Sequence, residues 1–205
     1  MASRSNSTMK SRGRPVTFDP EHVIDIAMNM YWKKGIENVS LNEISKLSNE
    51  SRTGIYREFK NEDGLQYAAI QRYNKLVLEP WSEAIKNSTN LPKYLEEVFK
   101  SIIYSKLRKQ NLHLAYSMKI AQYKLSTKTR NAVIKLNDSI IESWKIALQT
   151  AQIEGYVSKR AEINSLAEYI QAQVILFIAL SRNKMPEDKQ EKIMKLVIKT
   201  VTLSH

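Results

Sequence analysis

The chain has 205 residues, 42% of them hydrophobic, and carries 32 Lys and Arg against 21 Asp and Glu, a formal net charge of +11. It has 5 Gly, 5 Pro and no Cys, which excludes a fibrous or disulfide-stapled chain, a thiolate metal site and a Cys nucleophile. The longest apolar run, residues 174–180, is too short to span a bilayer, and residues 1–10 lack the apolar stretch of a secretory signal. We therefore expect a soluble, cytoplasmic protein that is attracted to polyanions and has no membrane partner.

The positive charge is unevenly distributed along the chain. Residues 1–18 hold four basic and no acidic side chains, residues 19–80 are net −2, and residues 81–205 are net +9. The stretch 98–137 contains nine Lys or Arg and no acidic residue. Three interpretations of this stretch stay open: it binds an anionic effector, it steers the protein towards DNA, or it is a solvated helical surface.

Helix start and stop signals divide the chain into about nine helices, and no segment alternates as a strand would. The first helix begins with Asp19 as its N-cap and Pro20 in its first turn, and it ends at Gly35. The capping box of Ser40 and Glu43 then opens a short second helix.

A second short helix follows a polar turn at residues 48–50 and is capped by Ser51. The apolar residues of the two short helices predict their inner face: Leu41, Ile44, Leu47, Ile55 and Phe59.

Longer helices are predicted along the rest of the chain, and Pro80 should end or kink the first of them. Their predicted positions are about 62–87, a helix opened by Pro92, 112–124, a helix from Thr127 that ends before Gly155, 163–180 and 187–203.

The two short helices and their polar turn predict a helix-turn-helix, in which the second helix enters the DNA major groove. Small or bidentate side chains at its start can reach base edges, and Gly54, which is costly inside a helix, suggests a close backbone approach to DNA. Arginines of the preceding arm can enter a narrow minor groove, the alternative being a disordered solubilising tail. The predicted DNA-binding residues are Arg12, Arg14, Ser40, Ser51, Arg52, Thr53, Gly54, Tyr56 and Arg57. For each of them singly, a cap, a solvated charge or a core side chain is the alternative.

Residues 14–73 resemble the N-terminal domain of TetR-family (tetracycline-repressor-like) transcription regulators. The motifs that carry the resemblance are Tyr31-Trp32-Lys33-Lys34-Gly35, Val39-Ser40-Leu41 and Ser51-Arg52-Thr53-Gly54-Ile55-Tyr56-Arg57-Glu58-Phe59. The resemblance implies an all-helical homodimer whose last two helices form a four-helix interface. It also implies a pocket in the second domain, whose occupant alters the affinity for DNA.

Three positions depart from the family pattern. Asn49 and Glu50 stand where the turn usually has Gly and an aliphatic residue, although Asn can still adopt the left-handed conformation. Glu62 stands where the family often has a phosphate-binding Lys, a role that Lys60 is close enough to take.

The predicted fold class is therefore all-α, with an N-terminal three-helix helix-turn-helix domain followed by a helical ligand-binding and dimerisation bundle. The predicted boundaries are a flexible basic arm at 1–18, the DNA-binding domain at 19–62, and the effector-binding and dimerisation domain at 63–205.

Aromatic and sulfur side chains of the second domain predict an apolar pocket, with core packing as the alternative for each. The predicted ligand-binding residues are Tyr104, Tyr116, Met118, Trp144 and Phe177. The run 174–180 is apolar around the whole helix, which favours burial against a partner subunit over a core within one chain. The predicted dimer-interface residues are Val174, Phe177, Ile178, Ile193, Val197 and Val201.

Catalytic signals are absent from the sequence. The three histidines, His22, His113 and His205, share no ligand spacing, and there is no HExxH, GxSxG or phosphate-binding Gly-rich motif. We expect neither an enzyme nor a metal or cofactor site. The predicted function is a ligand-responsive transcriptional repressor that binds a palindromic operator as a homodimer and is altered by a small-molecule effector. The alternative is a helical small-molecule-binding module whose DNA-reading head has degenerated, as Glu50 and Glu62 would allow.

Overall fold

The computed structural model describes residues 18–104, 114 and 122–202, and these residues are helical, with no strand among them. The α-helices are α1 (Pro20–Lys34), α2 (Leu41–Ser48), α3 (Arg52–Phe59), α4 (Glu62–Tyr73), α5 (Glu79–Lys86), α6 (Leu91–Tyr104), α7 (Thr127–Ile153), α8 (Ile163–Arg182) and α9 (Glu187–Val201). Because α4 and α5 are continuous, this part of the chain contains eight helical segments. The all-α class is confirmed. Of the helix predicted at 112–124, the structure describes only residues 114 and 122–124. Arg12, Arg14, Tyr116 and Met118 lie outside the described residues.

The helix ends of the N-terminal half follow their predicted capping residues. The Asp19 carboxylate accepts a hydrogen bond from the His22 backbone N–H at 3.1 Å, and the Ser51 hydroxyl accepts one from the Gly54 N–H at 3.0 Å. The turn between α2 and α3 places Asn49 at φ 56° and ψ 27°, the left-handed conformation predicted for it. Local side-chain chemistry therefore sets the geometry of the helix-turn-helix.

Leu47 does not lie on the inner face of α2, and its prediction is wrong. Leu41 and Ile44 are buried, whereas Leu47 is 60% exposed. Ser48 takes the inner position one turn after Ile44, and its hydroxyl donates to the Ile44 carbonyl at 2.9 Å. The small serine is accommodated where the chain turns sharply into α3.

Pro80 neither ends nor breaks the helix that starts at Glu62. Asn74–Leu78 form a π-helical turn that joins α4 to α5, and the helix continues to Lys86. A proline inside a helix has no N–H to donate and crowds the preceding turn, and a wider π turn accommodates both effects. The Asn74 amide donates to the Glu79 carboxylate at 2.7 Å across this turn.

Helix α4 is held against α1 by ionic and aromatic contacts. Arg72 of α4 contacts Glu21 at 2.6 Å and Asp25 at 2.7 Å, both on α1. The rings of Trp32 and Tyr73 meet edge to face at 5.6 Å. These contacts connect α4 to α1, which in turn packs against α2 and α3 of the helix-turn-helix.

Helix α7 packs against α4, α5, α6 and α8 and lies at the centre of the C-terminal part of the chain. Trp144 is fully buried between the rings of Trp81 and Tyr94, at 6.0 and 6.1 Å. Its indole N–H donates to the Gln171 side chain of α8 at 3.3 Å. The buried hydroxyls of Ser82 and Ser143 hydrogen bond at 2.6 Å and join α5 to α7.

The predicted dimer-interface residues of α8 and α9 mostly lie inside the chain. Val174, Phe177, Ile178, Val197 and Val201 are all at most 4% exposed. They pack within their own subunit and Ile193 is partly buried beside them, so a role of these residues at an interface stays a prediction. Because the run 174–180 is apolar around the whole helix, its sequence could not show which side of α8 faces the core and which side faces outward.

The outward face of α8 is apolar in the second half of the helix, whereas the first half exposes Asn164, Ser165 and Glu168. Leu176 is 40% exposed, and Tyr169, Ala172 and Ala179 share its side of the helix by their spacing. Among the described helices, α8 alone is long and apolar enough to cross a membrane by length and composition, and a third of its most apolar window is buried inside the chain. Such a helix is equally typical of the core of a folded protein.

Candidate functional site

The exposed face of α3 is cationic. Four exposed residues at positions i, i+1, i+4 and i+5 share this face: Arg52, Thr53, Tyr56 and Arg57. The exposed Lys60 follows as the C-cap of α3. None of the salt bridges of the described residues involves Arg52, Arg57 or Lys60. The surface therefore presents three free cationic groups, a hydroxyl and a phenol towards solvent. This is the set of donors that phosphates and base edges accept.

Gly54 lies on the opposite, buried side of α3, and the structure gives a different reason for the glycine. A Cβ at this position would lie 2.9 Å from Phe18 Cδ2 and 3.1 Å from the Ser51 hydroxyl. The Phe18 ring also packs edge to face on Phe59 at 6.4 Å. Close packing against Phe18 is therefore enough to explain the glycine. A DNA contact through its backbone stays a prediction.

Ser40 caps α2. Its hydroxyl accepts from the Glu43 N–H at 3.3 Å, while the Glu43 carboxylate accepts from the Ser40 N–H at 3.0 Å and from Lys34 at 2.7 Å. Hydrogen bonds from Lys34 and Ser40 lower the pKa of Glu43 to about 2. Ser51 likewise caps α3 with its hydroxyl. Both serines are exposed at the helix starts, so their primary role is to fix the orientation of the two helices.

Glu50 has a partner within the head. Its carboxylate accepts a hydrogen bond from the Asp19 backbone N–H at 3.2 Å, next to the start of α1. Carboxylates are stabilised near helix N-termini. The acid that favoured a degenerate head thus ties the α2–α3 turn to α1.

Two buried polar groups near α4 have no hydrogen-bond partner, the Tyr31 hydroxyl and the Trp32 indole N–H. Burial raises the pKa of Tyr31 above its ordinary value, with a contribution from Glu62. Among the described residues, no group of three His, Cys, Asp or Glu side chains is arranged to hold a metal ion.

Of the predicted ligand-binding residues, the structure describes Tyr104, Trp144 and Phe177. Trp144 and Phe177 are fully buried in the core, where Phe177 contacts Phe99 at 4.5 Å between ring centroids. Tyr104 is 46% exposed at the end of α6, and its hydroxyl donates to Glu191 of α9, which raises its pKa to about 12. Tyr104 therefore links two helices at the surface, while ligand contacts of Trp144 and Phe177 stay predictions.

A groove between α4 and α7 was missed in the sequence. It has a volume of about 410 Å³ and is lined by Tyr67, Gln71, Lys128, Asn131, Ala132, Lys135 and Leu136. The residues come from two helices that are about sixty positions apart in the sequence. Their helical spacing on each segment was visible, but no sequence signal places the two segments side by side.

The comparisons with known proteins concern the helix-turn-helix segment and the overall fold. No known family model matches the chain. A 64-residue alignment with the HTH-type transcriptional repressor ComR of Escherichia coli K12 is 39% identical and covers 31% of this chain. The chain spans only 30% of the length of this curated relative in that alignment.

Solved structures extend the likeness over almost the whole chain. The TetR-family regulator CifR, complexed with a 26-bp double-strand operator DNA, has a TM-score of 0.74 at 14% identity and covers 92% of this chain and 100% of that one. The transcriptional regulator FadR of Bacillus subtilis, in complex with stearoyl-CoA, has a TM-score of 0.68 at 14% identity, with coverage of 89% and 100%.

Fold and surface together define a helix-turn-helix head on a helical bundle. The chain has the fold of the TetR-family transcriptional regulators, as its resemblance predicted.

Proposed function

We propose that the protein is a DNA-binding transcriptional regulator, acting as a repressor, in which α3 reads an operator. The observation that carries this proposal is the cationic, solvent-facing surface of α3 on a head whose turn and caps are intact. Arg52 at the first turn suits base or phosphate contact, and Arg57 and Lys60 suit the flanking phosphates. The relatives support the proposal, because ComR is a repressor and CifR binds operator DNA.

The structural role of Glu50 weakens the alternative of a degenerate head. Its carboxylate is directed at a backbone N–H of the α1 start. Glu50 therefore has a structural role within the head, and its presence is not by itself a sign that the head has degenerated.

We propose further that the regulator is a homodimer built on the outward faces of α8 and α9, so that two heads read a palindromic operator. The support is the apolar surface around Leu176, together with the 63% exposed Leu196 of α9. Such faces are costly in water and suit an isologous interface, in which the same patch meets itself. A cytoplasmic protein with this arrangement needs no membrane to cover α8.

An effector of the second domain would shift the balance between DNA-competent and incompetent arrangements of the two heads. FadR, which binds stearoyl-CoA on the same fold, supports a small-molecule effector. We propose domain boundaries at residues 18 and 62, which separate the arm, the DNA-binding head and the effector-binding domain.

The proposal is tested by operator affinity in matched charge variants. An operator duplex is first selected from a random pool, and fluorescence anisotropy then measures wild type, Arg52→Ala and Arg160→Ala at one stated salt concentration. Arg52→Ala should weaken binding about 5- to 150-fold, the range for a base or phosphate contact of an arginine. Arg160→Ala removes the same charge from an exposed loop before α8 and should change affinity by less than about twofold. Equal affinities of the two variants would contradict the proposed role of α3.

A further inference from the structure

The groove between α4 and α7 has the chemistry of a binding site for a small organic anion. Among the residues that the structure describes, its lining contains two lysines and two side-chain amides but no carboxylate. The acidic side chains on these helices that come nearest in sequence, Asp63 and Asp138, do not belong to the lining. Its volume of about 410 Å³ falls within the 300–1,000 Å³ that is typical of small-molecule sites.

The two lysines are available for an anion. Neither Lys128 nor Lys135 takes part in a salt bridge of the described residues, and both are exposed. Lys128 is positioned by its contact with the Tyr67 ring, since its ammonium lies 4.1 Å from the ring centroid. A lysine held over an aromatic face loses less freedom when it binds a carboxylate. Asn131 lies about one turn after Lys128 on α7, and its side-chain amide supplies a further hydrogen-bond donor.

The floor of the groove is apolar. Ala132 and Leu136 lie one turn apart on the same side of α7, and both are partly buried. A purely inorganic anion would leave this floor uncovered. A carboxylate attached to a flat apolar body would satisfy the lysines and cover the floor at the same time.

Each of the two helices serves a different part of the molecule. Helix α4 is bound to α1 of the head through Arg72, and the Thr129 hydroxyl of α7 donates to Asp63 of α4 just beside the groove. An occupant would contact the helix that supports the head and the central helix of the second domain together. We infer that this groove is a regulatory site for small organic carboxylates, at the junction of the two domains. The regulatory part rests on the proposed function, whereas binding itself does not.

The test measures binding without DNA, with benzoate as the probe, its neutral analogue benzamide, and inorganic phosphate. Ligand-observed NMR titration of wild type should give saturable benzoate binding, with a dissociation constant of about 1–10 mM for so small a ligand. Benzamide and phosphate should each bind at least about fivefold more weakly. No saturable binding up to about 50 mM, or equal affinity for benzoate and benzamide, would overturn the inference.

Variants locate the site. Lys128→Gln combined with Lys135→Gln should weaken benzoate binding at least about tenfold. The control pair Lys159→Gln and Lys184→Gln removes the same charge at exposed loop positions elsewhere and should leave benzoate binding unchanged. Ala132→Leu fills the floor without changing charge and should also abolish binding, which guards against a misfolded lysine double variant. Unchanged affinity in the lysine pair or in Ala132→Leu would overturn the inference.

Failure of the site and failure of the proposed function are distinguishable. Arg52→Ala should retain full benzoate binding, because it lies on the head and not in the groove. Benzoate should change the operator affinity of wild type more than that of the lysine double variant. If benzoate binds in the groove but the two changes are equal, the site stands and its regulatory role is refuted. If the lysine double variant loses affinity for DNA but not for benzoate, the groove binds DNA phosphates and the inference is wrong.

Discussion

Replacement of Leu176 by Glu should dissociate the dimer, because it places a carboxylate in the middle of the proposed interface. Leu176 is 40% exposed in the single chain, so burying the remainder on dimerisation is worth about 1 kcal/mol. An unpaired carboxylate at an apolar interface costs about 2 kcal/mol more. Because an isologous interface contains each residue twice, the total reaches about 6 kcal/mol, or roughly ten-thousandfold in the dissociation constant.

Sedimentation velocity from about 0.5 to 50 μM measures this effect directly. Wild type should sediment as a dimer, and Leu176→Glu as a monomer with an unchanged circular dichroism spectrum. Ile153→Glu makes a like change at an 83% exposed position at the end of α7 and should stay dimeric. A dimeric Leu176→Glu variant would refute the assignment of the outward face of α8, and a monomeric wild type would refute the homodimer.

Two further predictions concern the head. Gly64→Ala should destabilise the head by about 2 kcal/mol in urea unfolding, despite the better helix propensity of Ala, because the new Cβ would overlap the backbone carbonyl of Phe59. An unchanged unfolding midpoint would contradict this packing. Glu43→Gln should be less stable than wild type near pH 6, and the difference should vanish as the pH falls, because the pKa of Glu43 is lowered from 4.5 to about 2 in the folded state. The stability that this carboxylate contributes is present above pH 4.5 and is lost as the pH falls towards 2, so a difference that persists at pH 2 would contradict the capping interaction.

Features that depend on neighbouring residues were predictable from the sequence. Asp19, Ser40 and Ser51 cap the helices they were expected to cap, since an N-cap depends on residues within one turn. Asn49 adopts the left-handed conformation for the same local reason.

Features that depend on distant contacts were not predictable. Gly54 is explained by Phe18, thirty-six positions earlier, and Glu50 by the Asp19 N–H, so neither role has a local signal. The phase of α8 could not be derived from an all-round apolar run. The groove requires the packing of α4 on α7, which only the folded structure reveals.

The central claim, that α3 reads a specific operator as part of a dimer, is tested most directly by selecting bound sequences from a random duplex pool at a stated, near-physiological salt concentration. The account predicts enrichment of a palindrome with half-sites about one helical turn or a multiple of it apart, which is the spacing of successive major-groove faces. Binding without enrichment, with an affinity that falls steeply as salt rises, would show that only the net positive charge attracts DNA. That result would contradict the account.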